Sequence, residues 1–187
     1  VSVVENTYPT AKKMINSLFQ NMKKIPVMWG GVFATFAPHL ILKDNVGDYV
    51  CIGEGDDAII EFCKRFHDGI SVDNTPNFWV KKNGNIIKNK MGALIENLDN
   101  DPPPDRKLMY DSDKALKARS TKMFMATRGC PYQCTYCFNH AYNALTKGKG
   151  EMIRSRSVDS IINEIKKVKN NYFMDRVNID DDIFLLK

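Results

Sequence analysis

Three closely spaced cysteines constrain this chain more than any other feature of its sequence. Cys130, Cys134 and Cys137 follow the order Cys-x-x-x-Cys-x-x-Cys. This spacing lets one short loop wrap three thiolates round a single inorganic centre, and thiolate is the ligand that iron–sulfur clusters use. A four-iron cluster held by three protein thiolates keeps one iron open to a substrate or cosubstrate. The motif therefore predicts a metal-binding loop with an open coordination position.

A structural zinc site is the alternative interpretation of this loop. His140 could act as a fourth ligand and complete a tetrahedral site, although we expect it to be a loop histidine. Zinc ligands usually come as two short cysteine pairs far apart in sequence, whereas the three cysteines here share one loop. Disulfides are disfavoured because the chain has five cysteines, an odd number, and no signal peptide is apparent. We expect a reducing, cytoplasmic location.

The composition is that of an ordinary globular protein, with 43% hydrophobic and 26% charged residues. No apolar run approaches the roughly 20 residues that span a bilayer, so no membrane span is predicted. The formal net charge of +5 is modest and its lysines are scattered, so nucleic acid binding is not implied. Because residue 1 is valine and 1–4 already reads as a strand, we expect the chain to be a fragment.

The first part of the chain alternates between apolar runs and amphipathic segments. The runs 1–4, 25–29 and 49–52 are each short enough to be strands. Two helical stripes lie between and after them, one made of Ala11, Met14, Ile15, Leu18, Phe19 and Met22, the other of Ile59, Phe62, Cys63 and Phe66. Strand and helix repeats of this length favour a parallel, Rossmann-like (flavodoxin-like) sheet.

Glycines close two of these predicted strands. Gly30-Gly31 follows the second strand, and Gly53-Glu54-Gly55 follows the third. Ligands of parallel sheets bind beyond the carboxyl ends of the strands, and glycine there lets the backbone approach a bulky ligand closely. The same glycines could also serve only to make the turn.

A hairpin and a proline-rich stretch separate the two halves. Asn83-Gly84 lies between two apolar runs, and both turn residues tolerate positive φ, which predicts a β-hairpin. The stretch 99–105 contains three consecutive prolines and cannot continue a helix or a central strand. We interpret the proline-rich stretch 99–105 as a linker.

The second half resembles the start of a β/α barrel in its order of elements. An apolar strand over 121–127 delivers the cysteine loop from its carboxyl end, where barrel active sites lie. Ser157 is a plausible N-cap of a helix, and 176–179 reads as the next strand. The buried stripe of that helix is predicted to be Val158, Ile161, Ile162, Ile165 and Val168. A complete barrel takes about 250 residues, so only a partial TIM barrel is expected here.

Two charged segments flank this helix. Three carboxylates, Asp180, Asp181 and Asp182, follow the last strand; they could orient a ligand or form a solvated acidic loop. The basic residues before the helix could meet an anionic substrate, but we expect them to be exposed, with the two arginines able to pair with nearby carboxylates. These residues are Lys147, Lys149, Arg154 and Arg156.

The cysteine loop resembles the signature of the radical S-adenosylmethionine (SAM) enzymes. The resemblance includes the aromatic Tyr136 directly before the last cysteine and implies that Tyr136 is a cofactor-binding residue. It implies a 4Fe–4S cluster whose open iron binds the amino and carboxylate groups of SAM. The reduced cluster would pass an electron into SAM and give methionine and a 5′-deoxyadenosyl radical. It also implies an electron donor such as flavodoxin or ferredoxin.

The first half resembles cobalamin-binding domains. Ser2-x-Val4 followed by Gly30-Gly31 is similar to their Ser-x-Leu and Gly-Gly elements, which implies that Ser2, Gly30 and Gly31 lie along the nucleotide tail of cobalamin. A further stretch looks like the Gly-Glu-Gly-Glu segment of cobalamin-binding radical SAM proteins, namely Gly53-Glu54-Gly55-Asp56. The chain departs from the pattern at Phe33, where relatives often carry a histidine, and any Asp-x-His-x-x-Gly loop would lie upstream of Val1.

Together these resemblances imply a cobalamin-binding radical SAM enzyme that acts on a small molecule. They divide the chain into a partial cobalamin-binding domain (1–75), a hairpin and linker region (76–120) and the start of a radical SAM barrel (121–187). The implied reaction is methyl transfer, with cobalamin carrying the methyl group, or related radical chemistry on an unknown substrate. Two alternatives remain open, a radical SAM enzyme with a degenerate cobalamin-like domain and a zinc-stabilised binding module without catalysis.

Overall fold

The computed structural model describes residues 1–23 and 25–184 and divides into two compact units, 1–93 and 94–187. The first unit contains, in order, α1 (Tyr8–Asn21), β1 (Met28–Trp29), α2 (Val32–Phe36), α3 (Pro38–Lys43), β2 (Tyr49–Cys51), α4 (Asp56–His67), β3 (Phe78–Lys82) and β4 (Asn85–Lys88). The domain limits expected at residues 75 and 120 stay a prediction.

The sheet of the first unit is mixed. Its order is β1-β2-β3-β4, with β1 parallel to β2 and the other two pairs antiparallel. The parallel portion confirms that part of the predicted α/β fold. The strand expected over 1–4 is reduced to a single parallel bridge between Ser2 and Gly30.

The predicted hairpin is confirmed and belongs to this sheet. Asn83 and Gly84 both have positive φ, 50° and 80°, which a tight two-residue turn requires. The side chains of Phe78 and Val80 on β3 are buried in a core that includes Phe62, and residues 78–80 pair with β2. The hairpin is thus integrated into the first unit, which local turn signals could not indicate.

Trp29 is the centre of the larger apolar core in the first unit. Its side chain is fully buried, and its Nε1–H donates to the carbonyl oxygen of Val46 at 2.9 Å. The ring of Tyr8 packs edge-on against it with centroids 5.4 Å apart, and Gly47 leaves room for the indole, because a Cβ there would lie 2.3 Å from it. A buried indole with its N–H satisfied anchors the end of β1.

The helical stripes predicted for this unit are only partly buried. On α1, Ala11, Ile15 and Phe19 pack against the core, whereas Met14, Leu18 and Met22 are exposed. On α4, Phe62 is buried, but Cys63 is exposed, so its predicted place in the core is wrong. Ile59 and Phe66 of the predicted α4 stripe are exposed as well.

The second unit begins with a 3₁₀ turn and contains eight further elements. In order these are α5 (Arg106–Ser112), α6 (Lys114–Ala118), β5 (Thr121–Phe124), β6 (Thr127–Arg128), α7 (Asn139–Leu145), β7 (Arg154–Ser155), α8 (Val158–Asn171) and β8 (Arg176–Ile179). β5 and β8 are parallel with α8 between them in sequence, and β6 pairs antiparallel with β7. β5, α8 and β8 form one β–α–β unit. The partial barrel stays a prediction.

The helix α8 follows its sequence signals closely. Ser157 is its N-cap, and the Ser157 Oγ accepts from the Ser160 N–H at 3.2 Å. The Ser157 N–H donates to both carboxylate oxygens of Asp99, at 3.0 and 3.1 Å, and hydrogen bonding from Ser157 lowers the pKa of Asp99. Ile161 and Val168 are buried as predicted, and Glu164 is buried with them.

Val158 and Ile162 on the same helix are exposed, so the predicted stripe is too wide. None of the helices in the described residues is both long and apolar enough to cross a membrane.

Candidate functional site

The cysteine loop starts at a backbone position that only glycine fits. Gly129 has φ 94°, and a Cβ there would lie 2.0 Å from the carbonyl oxygen of Met152. The chain then leaves β6 and runs through the three cysteines before α7 begins. Two hydrogen bonds shape this loop: Asn143 Nδ2 donates to the Cys130 carbonyl at 2.8 Å, and the Cys137 N–H donates to the Cys134 carbonyl at 3.0 Å.

The thiols lie on an accessible loop. Cys134 is exposed, and Cys130 and Cys137 are partly exposed. In the part of the chain that the structure describes, no three His, Cys, Asp or Glu side chains are grouped closely enough to hold a metal ion. The donor set of three thiols in one loop fits a 4Fe–4S cluster, while its final geometry would be adopted round the metal. Tyr136 is 91% exposed.

Neither of the two arginines predicted to be exposed is so, since Arg154 is buried and Arg156 is half-buried. Arg154 is buried, and its Nη1 donates to the carbonyl oxygen of Ile95 at 2.7 Å. Arg156 forms an ion pair with Glu164 at 2.5 Å, so pairing with a carboxylate is confirmed while exposure is wrong for both. The predicted basic loop therefore keeps only its lysines near solvent, of which Lys147 is exposed.

One residue of the acidic segment after β8, Asp181, holds the backbone of a neighbouring segment. Asp181 Oδ1 accepts from the Ala126 N–H at 2.8 Å, and its Oδ2 is buried without a hydrogen-bond partner among the described residues. Asp180 and Asp182 are exposed. Asp181 thus fixes the backbone that leads to the cysteine loop.

A cavity of about 400 Å³ lies at the carboxyl end of the parallel strands in the first unit. It collects most of the residues that the sequence assigns to cobalamin: Ser2, Gly30, Gly31, Gly53 and Gly55. The prediction that the glycine loops meet at one sheet edge is confirmed by this geometry. Their contact with cobalamin stays a prediction.

These glycines differ in what a side chain at each position would contact. Gly31 has φ 91°, and a Cβ there would lie 2.8 Å from Ser2 Oγ and 2.9 Å from the Val3 carbonyl oxygen. Gly53 has φ 72°, and its Cβ would lie 2.8 Å from the sulfur of Met91. The backbone conformation and the close packing of the chain therefore require glycine at both positions. A Cβ on Gly30 would meet nothing within 4 Å, so Gly30 alone of the three leaves open space for a ligand.

Two polar side chains hold the glycine loops, and the sequence analysis missed both. Thr35 Oγ1 donates to the Gly31 carbonyl at 3.0 Å and accepts from the Gly53 N–H at 3.1 Å, which ties one loop to the other. Asn77 Nδ2 donates to the carbonyl oxygen of Glu54 at 2.8 Å, and Asn77 Oδ1 accepts from the Gly92 N–H at 2.7 Å. Glu54 is thus held through its backbone.

The two cysteines of the first unit have no place in the predicted cluster. Burial, followed by the charge of Asp56, raises the pKa of Cys51 to about 11, whereas Cys63 is exposed. Replacing both by alanine is expected to leave the iron content of the reconstituted protein unchanged, because neither lies on the cysteine loop. Iodoacetamide at neutral pH should label Cys63 before Cys51. Loss of iron in the double variant would contradict the assignment of the ligands to one loop.

This chain is similar to several known proteins. A family model described as B12 binding domain matches residues 1–62. The chain is 26% identical over 178 residues to an uncharacterized methyltransferase of Pyrococcus horikoshii, covering 95% of this chain and 37% of that protein. It is 22% identical over 184 residues to the cytidylyl-2-hydroxyethylphosphonate methyltransferase of Streptomyces wedmorensis, covering 82% of this chain and 33% of that protein. The chain spans about a third of the length of these curated relatives.

Solved structures share the fold. The cobalamin-dependent SAM radical enzyme OxsB, with aqua-cobalamin and SAM bound, matches with a TM-score of 0.71 at 17% identity, over 98% of this chain and 25% of that chain. TsrM from Kitasatospora setae, a radical SAM methyltransferase with cobalamin and a 4Fe–4S cluster bound, matches with a TM-score of 0.65 at 15% identity, over 94% of this chain and 34% of that chain. The resemblance to cobalamin-binding radical SAM proteins is confirmed.

Proposed function

We propose that this chain is part of a cobalamin-dependent radical SAM methyltransferase. The observation that carries the proposal is the cavity of about 400 Å³, because it is lined by the residues that the motifs assign to cobalamin. The family match over residues 1–62 supports the same ligand. The methyltransferase names of the relatives support methyl transfer as the reaction.

The first unit would hold cobalamin at the glycine loops. Gly30 supplies the open approach, and the bond network of Thr35 keeps the two loops at a fixed separation. Ile59 and Asp56 on α4 also line the cavity, so it offers both an apolar wall and a carboxylate. A largely preformed cavity with a few placed polar groups is typical of cofactor sites. Bound cobalamin supplies a carrier for the methyl group.

The second unit would hold the cluster and SAM. Cys130, Cys134 and Cys137 are the proposed cluster ligands, and the cluster supplies the electron that cleaves SAM. Gly129 turns the chain into the loop, and Asn143 fixes the backbone at Cys130. The exposure of this loop leaves a side from which SAM can reach the metal centre. Asp181 holds the preceding strand end through Ala126.

An electron donor such as flavodoxin or ferredoxin is the proposed protein partner. Tyr136 and Tyr132 are exposed on the cysteine loop, which gives a donor an aromatic surface close to the proposed cluster. The substrate is proposed to be a small molecule, and its identity is not specified by the residues of this chain.

Anaerobic reconstitution of the full-length protein tests the proposal. We expect about four irons and four sulfides per chain, with broad visible absorbance that fades on reduction, because three thiolates in one loop suit a cubane cluster. With a strong reductant and SAM, the loaded protein should form products of SAM cleavage, and it should bind hydroxocobalamin. Stoichiometric zinc without acid-labile sulfide would replace this proposal with the zinc-stabilised binding module.

A further inference from the structure

Two arginines hold three backbone carbonyls between β5 and the start of β6. Arg106 Nη2 donates to the Met123 carbonyl at 2.9 Å, and Arg156 Nη1 donates to the Met125 carbonyl at 3.3 Å. The Arg156 backbone N–H also donates to the carbonyl oxygen of Ala126 at 2.8 Å. These bonds hold the segment just ahead of Cys130 at its backbone, so they fix its path whatever its side chains are.

Both arginines are organised by one buried carboxylate. The Glu164 side chain is 3% exposed. Its Oε1 accepts from Arg106 Nη2 at 2.8 Å and from Arg106 Nε at 3.1 Å, and its Oε2 accepts from Arg156 Nη1 at 2.5 Å. Each oxygen thus serves a different guanidinium, and Glu164 joins the start of α5 to the segment before α8.

Packing of α8 does not account for this arrangement. The apolar residues Ile161 and Val168 already bury that face of the helix, and a buried ion network is weak as a source of stability because the desolvation of its charges offsets their attraction. Its distinguishing property is geometric, since guanidinium groups fixed by a carboxylate present their remaining N–H groups in set directions. Those directions here lead to the Met123 and Met125 carbonyls. Arg156 is also held by Ser160 Oγ, which accepts from its Nη2 at 2.9 Å and its Nε at 3.2 Å.

We propose that Glu164 is a positioning residue for the cysteine loop, acting through Arg106 and Arg156. Glu164 would fix the backbone path over residues 123–126, which precede the cysteine loop. That path would set the side of the proposed cluster that SAM approaches. This inference rests on the proposed function. Groups that orient metal ligands without touching the metal commonly change affinity or activity by about 10- to 100-fold when removed.

Glu164→Gln in the reconstituted full-length protein tests this role. The amide keeps the size of the side chain but replaces one acceptor oxygen with an NH₂ group that faces a guanidinium. We expect near-normal iron and sulfide content, SAM binding weakened by about 10- to 100-fold, and loss of the change that SAM causes in the electron paramagnetic resonance (EPR) spectrum of the reduced cluster. Asp159→Asn, an exposed carboxylate on the same helix, is the matched control and should behave as wild type.

The outcomes separate the inference from the function on which it rests. A wild-type protein without a cluster would overturn both. A wild-type protein that binds cluster and SAM, with Glu164→Gln indistinguishable from Asp159→Asn, would overturn the positioning role alone. If circular dichroism shows that Glu164→Gln does not fold, Arg156→Lys decides, because lysine keeps the charge but ends one bond short of Nη1, the atom that contacts both Glu164 and the Met125 carbonyl. Weakened SAM binding with normal iron supports the role, and wild-type binding overturns it.

Discussion

Replacing Cys134 with alanine is expected to reduce the iron of the reconstituted protein from about four atoms per chain to nearly none. Two remaining thiolates cannot hold a cluster that already leaves one iron without a protein ligand. Cys134 is exposed, and substitutions at exposed positions usually change stability by only about 0.5 kcal/mol. The loss would therefore report on ligation and not on folding. Iron and sulfide assays with visible absorbance measure it.

Cys63→Ala is the matched control, because Cys63 is also exposed and lies on α4, outside the loop. It should retain all the iron. His140→Ala separates the two kinds of metal site: a zinc site that uses His140 as its fourth ligand would weaken, while a cluster held by the cysteines would not. Retention of iron and sulfide by Cys134→Ala would show that the loop is not the ligand set.

The features that depend on neighbouring residues could be predicted from the sequence. The turn at Asn83-Gly84 is confirmed because its two positive φ values are set by the turn residues themselves. The Ser157 cap is confirmed because its partner is three residues away. The meeting of the glycine loops at one edge is confirmed because parallel strands, however short, point their carboxyl ends the same way.

Burial could not be predicted with the same success. A helical stripe indicates which face is apolar but not how much of it the sheet covers, so Met14 and Cys63 were expected in the core and are exposed. Charge patterning failed in the opposite direction, because Arg154 is buried and Arg156 is half-buried. The signal for the latter was present, since Glu164 falls on the same stripe as Ile161 and Val168 and would need a buried partner.

The bonds that hold the cofactor loops were beyond the sequence for a different reason. Thr35 bridges Gly31 and Gly53, and Asn77 reaches Glu54 and Gly92. Each of these joins segments that are distant in sequence, and neither threonine nor asparagine stands out by spacing or composition. The Thr35 bonds show that Gly31 and Gly53 help to shape the chain. Gly30, by contrast, leaves room for a ligand.

Replacing Gly30 with leucine is expected to weaken cobalamin binding by the full-length protein by about 100-fold or more, which corresponds to about 2.8 kcal/mol. A Cβ on Gly30 meets no atom of the described residues within 4 Å, and Gly30 lines the cavity of about 400 Å³, so we expect the leucine to extend into that cavity. Gly30→Ala should produce a smaller loss. Equilibrium dialysis with hydroxocobalamin measures both.

Gly31 is unsuited to this test, because a side chain there would collide with Ser2 and Val3 and strain a φ of 91°. Gly69→Ala is the better control, since Gly69 has φ 68°, open space around its Cβ and no place in the cavity. That variant should lose about 1 kcal/mol of stability and bind hydroxocobalamin as wild type does. Unchanged affinity in Gly30→Leu would remove the nucleotide-tail assignment and favour a radical SAM enzyme whose cobalamin-like domain no longer binds the cofactor.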